Sequence, residues 1–264
     1  MSVKEKRDRT MNIIQIYEDY YQYIYNYALK LTCHPEDAMD VTQETFLKAM
    51  KNMDTLISEK ALSSWLRTIC FREFLNMAKK NESKYLVDLE DISDLETAYN
   101  HRNFDTNTPE EEVIVADEIQ RMQNGCFYAM VRKLSLNQRI AFSLVDMYGM
   151  NTAEVAKLLE LSENAVKALL HRARLNIDAF FSNHCDLIYE KNPCSCAAWV
   201  NFSLSRAENQ KQTRKLMERL NYHDADYTFD ETVRAKIKYL YANMPEWKPS
   251  DDWYKKVKKI LETA

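Results

Sequence analysis

Glycine is almost absent from this chain of 264 residues: only Gly125 and Gly149 occur, alongside five prolines. Tight β-hairpin turns, phosphate-cradling loops and dinucleotide-binding fingerprints all need glycine at fixed positions. The scarcity therefore argues against folds built on such turns and loops. It predicts an all-α protein.

Long apolar runs are lacking as well. No apolar stretch reaches the roughly 20 residues that cross a bilayer, and the charged start is not followed by a signal-peptide core. We therefore expect a cytoplasmic protein without membrane insertion. The five histidines are scattered and no carboxylate pair marks a pocket, so we expect no enzymatic activity.

An excess of positive charge is also lacking, since 36 lysines and arginines stand against 40 acidic residues and the net charge is −4. Affinity for duplex DNA depends on neutralising phosphates, so this balance does not suit a protein that binds DNA tightly alone. Residues 83–112 contain nine acidic residues and only two basic ones, Lys84 and Arg102. Such a segment is typical of a solvated linker between domains.

Residues 134–174 carry the most informative pattern. Asn151 and Glu154 have the spacing of a capping box, and Ser162 can cap a second helix after a turn at Leu161. The second helix has an apolar side and a polar, basic side, which suits the major groove of DNA. An ordinary helical hairpin with a solvated outer face is the alternative. The outer and flanking residues are Glu163, Asn164, Lys167, Ala168, His171, Arg172 and Arg174.

The same stretch resembles the sigma-four domain of extracytoplasmic-function (ECF) sigma factors of bacterial RNA polymerase. Upstream, residues 37–49 resemble the acidic helix of the sigma-two domain, and Ser64-Trp-Leu-Arg-Thr-Ile69 resembles the start of its promoter-reading helix. Three positions depart from the pattern. Glu160 stands where the family usually has a turn glycine, Leu169 replaces a frequent arginine, and Ala168 replaces a frequent serine.

The resemblance implies a sigma factor that directs RNA polymerase to promoters, recognises the −10 and −35 elements and promotes melting. Core RNA polymerase and promoter DNA are the implied partners, and an anti-sigma factor is a further candidate. The outer face of the second helix is assigned to the −35 element. The loop 54–63 is assigned to capturing an unstacked base of the −10 element. The resemblance assigns polymerase binding to Asp37, Asp40, Gln43 and Glu44, and −10 contacts to Trp65, Arg67, Arg72, Asn76, Lys79 and Lys80.

These patterns divide the chain into four parts. They are a sigma-two-like domain at 11–82, an acidic linker at 83–112, a sigma-four-like domain at 113–180 and an extension at 181–264. A relaxed linker of about 30 residues spans only about 30 Å, whereas the two promoter elements lie about 85 Å apart. We therefore expect the polymerase to hold the two domains apart.

The six cysteines fall into two groups. Cys33, Cys70 and Cys126 are scattered and are expected to be small core residues. Three thiols with one imidazole, from His184, Cys185, Cys194 and Cys196, could complete a tetrahedral zinc site. A thiol switch and a reduced loop are the alternatives. The sigma-factor activity itself requires no cofactor.

The extension is too aromatic for a disordered tail. Its apolar residues follow helical spacing, so docking of this segment onto either promoter-reading domain could hold the factor inactive. A different class of protein also fits the same features. It is a stand-alone helix-turn-helix regulator whose carboxy-terminal segment senses metal or thiol state.

Overall fold

The computed structural model describes residues 12–80, 109–192, 194, 196 and 227–263. Most of the predicted acidic linker, residues 83–108, lies outside these ranges, as do residues 201–226 of the predicted extension. Within the described residues all regular secondary structure is helical, apart from one isolated β-bridge between Cys185 and Cys194. The all-α prediction is confirmed.

Three helices precede the predicted linker and six follow it among the described residues. They are α1 (Ile13–Thr32), α2 (Pro35–Lys51), α3 (Leu62–Lys80), α4 (Pro109–Lys133), α5 (Leu136–Phe142), α6 (Thr152–Leu159), α7 (Glu163–His184), α8 (Glu231–Ala242) and α9 (Asp251–Thr263). Short 3-10 turns at Met53–Thr55 and Glu59–Ala61 connect α2 to α3. A π-helical turn, Ser143–Met147, follows α5.

The described chain divides into two compact units. The first unit contains α1, α2, α3 and α9, and the second unit contains α4 to α8. The predicted extension at 181–264 is therefore not one separate body. Its helix α8 belongs to the second unit, and the boundary between the units falls between Met244 and Pro245.

The core of the first unit is built on the aromatic face of α1. Tyr17 and Ile24 of α1 are fully buried, together with Phe46 of α2 and Leu66 of α3. The Tyr17 ring meets the Phe46 ring edge-on, with 5.0 Å between the centroids. Burying such a side chain contributes on the order of 2–3 kcal/mol. Tyr17 is therefore a packing residue.

The helix-turn-helix of the second unit forms as the sequence predicts. The Asn151 side chain accepts from the Glu154 backbone N–H at 2.8 Å, and Glu154 accepts from the Asn151 backbone N–H at 3.1 Å. Ser162 caps α7 by accepting from the Ala165 backbone N–H at 3.2 Å. Between the two helices Glu160 adopts a left-handed conformation with φ of 55°. The capping box, the second cap and the left-handed turn are all confirmed.

Candidate DNA and polymerase interfaces

The outer face of α7 is open to solvent. Its inner face is closed, because Val166 and Ala173 are fully buried against the rest of the second unit. The face therefore projects polar and basic groups from a helix that is held firmly from behind. Of the residues predicted to read the −35 element, those that are exposed are Glu163, Asn164, Lys167, Ala168, His171 and Arg172.

Glu163 links the two helices of the helix-turn-helix motif. The Thr152 hydroxyl, at the start of α6, donates to Glu163 at 2.7 Å, and Lys167 Nζ lies 2.9 Å from the same carboxylate oxygen. Hydrogen bonds from Lys167 and Thr152 lower the pKa of the Glu163 carboxyl. Glu163 therefore stays ionised and positions the first turn of α7, where the helix dipole also favours a negative charge.

Arg174 occupies a different position from the other predicted −35 residues. Its guanidinium donates to both carboxylate oxygens of Asp146, at 2.9 and 2.6 Å. Asp146 lies in the π-helical turn with a side chain only 6% exposed. This bidentate pair fastens the middle of α7 to the turn behind it. Arg174 therefore holds α7 in position, although the sequence pattern placed it among the predicted −35 contacts.

A polar stripe runs along the exposed side of α3. Two of the residues predicted for the −10 element are only partly exposed, Trp65 and Arg67. The Trp65 ring nitrogen donates to the Thr55 hydroxyl at 3.0 Å, which ties α3 to the preceding loop. Trp65 is therefore committed to holding this loop. The other four predicted residues, Arg72, Asn76, Lys79 and Lys80, are exposed at helical spacing.

The loop before α3 presents an apolar side chain that sequence analysis did not single out. Ile57 is 95% exposed and lies between the two 3-10 turns. A single exposed aliphatic side chain is common on protein surfaces, so exposure alone assigns no role to Ile57. The neighbouring Leu56 is also apolar, and no local signal in the sequence distinguishes Ile57 from it.

The acidic residues of α2 line one side of the first unit. Asp40 and Glu44 are exposed and Gln43 is partly exposed, whereas Asp37 lies at the start of the helix. The opposite side of α2 packs inward, with Ala38 and Phe46 fully buried. The face is therefore accessible to a basic partner.

The cysteines group differently from the sequence prediction. Cys126, predicted to be a core residue, lines a cavity of about 20 Å³ together with Cys185 and Cys196, and His184 is not among its lining residues. The His184 ring stacks on Phe180, with 4.9 Å between the centroids. Within the described ranges, no three or more His, Cys, Asp or Glu side chains stand in metal-binding geometry.

None of the helices in the described part of the chain is both long and apolar enough to cross a bilayer. The described helices form two units, and each unit exposes a polar face to solvent. One unit carries a helix-turn-helix, and the other carries an acidic helix beside a helix with a basic, amide-bearing stripe. These features define a class, namely transcription initiation factors of the sigma type.

Comparison with known families matches both units. The model for sigma-70 region 2 matches residues 16–84, and the model for sigma-70 region 4 matches residues 124–177. Residues from 178 onward lie beyond both models, so the whole of the predicted extension at 181–264 has no counterpart in them.

Similar proteins carry the same designation. RNA polymerase sigma factor YlaC of Bacillus subtilis is 27% identical over 169 residues, which cover 63% of this chain and 90% of that protein. ECF RNA polymerase sigma factor SigW of the same organism is 25% identical over 173 residues, covering 65% of this chain and 88% of SigW. RNA polymerase sigma factor CnrH of Cupriavidus metallidurans is 28% identical over 144 residues, covering 54% of this chain and 72% of CnrH.

The chain belongs to the ECF group of the sigma-70 family. It is a sigma factor that directs RNA polymerase in transcription initiation, and its partners are core RNA polymerase and promoter DNA. The family is one of non-enzymatic initiation factors and needs no cofactor for that activity.

Proposed function

We propose that α7 reads the −35 element from the major groove through Asn164, Lys167, Ala168 and His171. The single observation that carries this assignment is the exposed polar face of α7, backed by a fully buried apolar face. A major groove about 12 Å wide admits a helix. The ion pair between Lys167 and Glu163 does not prevent this, because an exposed pair is worth only about 0–1 kcal/mol. Lys167 can turn from Glu163 to a base or a phosphate at little cost.

The first unit captures the −10 element in this proposal. We assign Ile57, between the two 3-10 turns, and the exposed α3 residues Arg72, Asn76 and Lys79 to binding of a single strand. Ile57 supplies an apolar contact for an unstacked base, and the basic and amide groups hold the backbone. Holding the single strand better than the duplex favours melting. Ile57 is the residue that we add to the set derived from the sequence.

The acidic face of α2 binds core polymerase through Asp40, Gln43 and Glu44. Exposed carboxylates steer association with a basic surface and set the orientation of the complex. The protein then acts in the cytoplasm with the polymerase, and it has no enzymatic activity of its own, because the chemistry stays with the polymerase.

The carboxy-terminal helices restrain this activity. In the second unit, Arg234 of α8 donates to the buried Asp178 at 2.9 Å. In the first unit, the Asn26 side chain exchanges two hydrogen bonds of 2.8 Å with the backbone of Trp247, just before α9. Only four residues lie between Ala242, the end of α8, and Trp247. The five Cα–Cα steps that join these two residues reach at most about 18 Å.

This limit follows from chain length alone and applies to any arrangement of the two units. The promoter elements lie about 85 Å apart, at about 3.4 Å per base pair. A connection this short restricts how far the two units can separate while both segments keep their contacts. In this proposal, release of α8 or α9 favours promoter binding.

Binding of promoter duplex with and without core polymerase tests the proposed function. We expect gel shifts with the factor alone to need far more protein than shifts with the factor plus core polymerase. Lys167→Ala should weaken the polymerase-dependent shift, while Lys255→Ala, on the exposed side of α9, serves as a charge-matched control. Tight and specific duplex binding by the factor alone would instead favour a stand-alone regulator.

A further inference from the structure

Four of the six cysteines come together in the second unit. Cys126 lies on α4, Cys185 directly follows α7, and Cys194 and Cys196 lie on the next segment of chain. These four residues form the four-thiol cluster, and none of the four is in a disulfide bond. The two remaining cysteines, Cys33 and Cys70, lie in the first unit.

The cluster surrounds a small cavity. Cys126, Cys185 and Cys196 line a cavity of about 20 Å³, which is room for about one water-sized guest. No charged side chain is among the lining residues. An ion in this space would therefore have sulfur as its main ligand.

Cys194 is held beside Cys185 by a backbone bridge. The Cys194 N–H donates to the His184 carbonyl at 3.0 Å, and the Asp186 N–H donates to the Cys194 carbonyl at 3.1 Å. Paired backbones of this kind lie about 4.8 Å apart. Cys194 also acts electrostatically on the Cys126 thiol, as do Cys185 and Cys196. The fourth thiol therefore belongs to the same cluster.

The segment that carries these thiols is fixed by a side chain. The Asn192 amide donates to the carbonyls of Ser182 and Cys185, at 2.8 and 2.9 Å. This closes the turn after α7 into a rigid loop. A site with a defined shape can form only on such a fixed backbone.

Hydrogen-bond donors for thiolate sulfur already surround the cavity. Burial raises the pKa of the Cys185 thiol to about 11, and the backbone N–H groups of Leu187 and Ile188 oppose this rise. The Ile188 N–H also donates to the Cys185 carbonyl at 3.1 Å. Asn124 also lines the cavity, is only 2% exposed, and its amide nitrogen has no hydrogen-bond partner. Such outer donors commonly orient and stabilise thiolate ligands of a metal. The buried Asn124 amide lacks an acceptor that a thiolate would provide.

We propose that the four-thiol cluster binds one soft divalent metal ion of the zinc class, with Cys126 as the fourth ligand. Four thiolates in a tetrahedron are a common closed shell for zinc. The sulfurs do not form this shell in the structure, so binding requires the thiol side chains to turn toward the cavity. The ion displaces the four thiol protons to solvent, and no oxidation or reduction takes place.

The bound ion would join three parts of the second unit. It ties α4 to the end of the reading helix α7 and to the segment after it. The cavity wall also includes Leu240 of α8 and Met244. Metal binding therefore strengthens the docking of α8. The proposal does not depend on the promoter-binding roles, because its readout is the metal itself.

Titration of the reduced, metal-free full chain with Co²⁺, followed by displacement with Zn²⁺, tests the site. We expect one ion per chain with the absorption of a tetrahedral cobalt–thiolate centre. Cys126→Ser, Cys185→Ser, Cys194→Ser and Cys196→Ser should each weaken binding at least tenfold. Cys70→Ser is the matched control and should bind as the wild type does.

The His184→Ala variant distinguishes two possible ligand sets, one with Cys126 and one with His184 as the fourth ligand. If Cys126 is the fourth ligand, the His184→Ala variant binds Co²⁺ with unchanged affinity, and the Cys126→Ser variant binds it at least tenfold more weakly. The reverse pattern would overturn the proposal, as would a wild-type chain that binds neither ion.

Alkylation of the native wild-type chain gives a readout that does not depend on any variant folding. Zinc should protect the four clustered cysteines from alkylation, as located by peptide mass spectrometry, and should leave the labelling of Cys33 and Cys70 unchanged. Equal labelling of the cluster with and without zinc would overturn the proposal.

Discussion

At the scale of single residues, Arg174 holds α7 in position, whereas the exposed residues of α7 are the candidates for DNA contact. Its fork of two hydrogen bonds satisfies Asp146, whose side chain is almost completely buried. Removing the arginine leaves that carboxylate with only Arg234 nearby, 3.9 Å away. Because Arg174 is itself partly exposed, we expect Arg174→Ala to lower the unfolding free energy by about 1–2 kcal/mol.

Denaturant unfolding of the full chain measures this effect. Lys167→Ala, which removes an exposed cation of the same helix, is the matched control and should unfold as the wild type does. An Arg174→Ala variant as stable as Lys167→Ala would show that the pair with Asp146 does not hold α7.

Asp178 predicts a pH dependence at the same scale. Burial raises the pKa of this carboxyl from 3.8 to about 6, with Asp146 adding to the rise and Arg234 opposing it. The folded state therefore holds the proton more tightly than the unfolded chain. The stabilising contribution of this proton is complete below a pH of about 3.8 and is lost as the pH rises through about 6.

Comparison with Asp178→Asn isolates this group, because asparagine cannot ionise. The stability of the wild type relative to the variant should fall as the pH rises from about 4 to about 6, and should level off above that range. A difference that stays constant across this range would contradict the raised pKa.

At the scale of elements, the turn inside the helix-turn-helix departs from the family pattern. Glu160 takes a left-handed conformation with φ of 55°, which costs a residue with a side chain roughly 1–2 kcal/mol. Glycine adopts it freely but loses more entropy on folding. We expect Glu160→Gly to raise the unfolding free energy by up to about 1 kcal/mol. We expect Glu160→Val to lower the unfolding free energy. Equal stability of the two variants would show that the left-handed conformation at position 160 is not strained.

The elements that sequence patterns predicted correctly are those fixed by neighbouring residues. The capping box of Asn151 and Glu154 needs only residues three apart, and so does the cap at Ser162. The buried side of α7 also follows from local spacing, so the side that the sequence predicts to be exposed is exposed in the structure. The division of the extension was not predictable, because Asn26 and Trp247, which hold it, are 221 positions apart.

The four-thiol cluster likewise combines cysteines that are close together in the sequence with one that is distant. The spacing of Cys185, Cys194 and Cys196 was visible in the sequence, and their clustering follows from it. Cys126 lies on a helix that precedes them by about 60 residues, so only tertiary packing brings it to the cavity. Likewise, nothing near Arg174 in sequence identifies Asp146 as its partner.

At the scale of the whole molecule, the proposed restraint on activity depends on the short chain between Ala242 and Trp247. We expect insertion of about 25 glycine and serine residues between Met244 and Pro245 to raise promoter-directed transcription, because about 85 Å of reach is then compatible with both dockings. Deletion of residues 245–264 should raise it too. The same insertion placed after Thr263 is the control and should leave transcription unchanged. If the insertion before Pro245 had no effect while the deletion did, chain length would not be the restraint.

The central claim is that two helical units with separate reading faces act only through the polymerase. Transcription in vitro with purified core RNA polymerase on a promoter with mapped −10 and −35 elements tests it most directly. The account predicts initiation only when both factor and core are present. Asp40→Ala should lose assembly with core, whereas Lys167→Ala and His171→Ala should assemble but use the −35 element less well. Absence of initiation with the wild-type factor, or wild-type initiation by all three variants, would contradict the account.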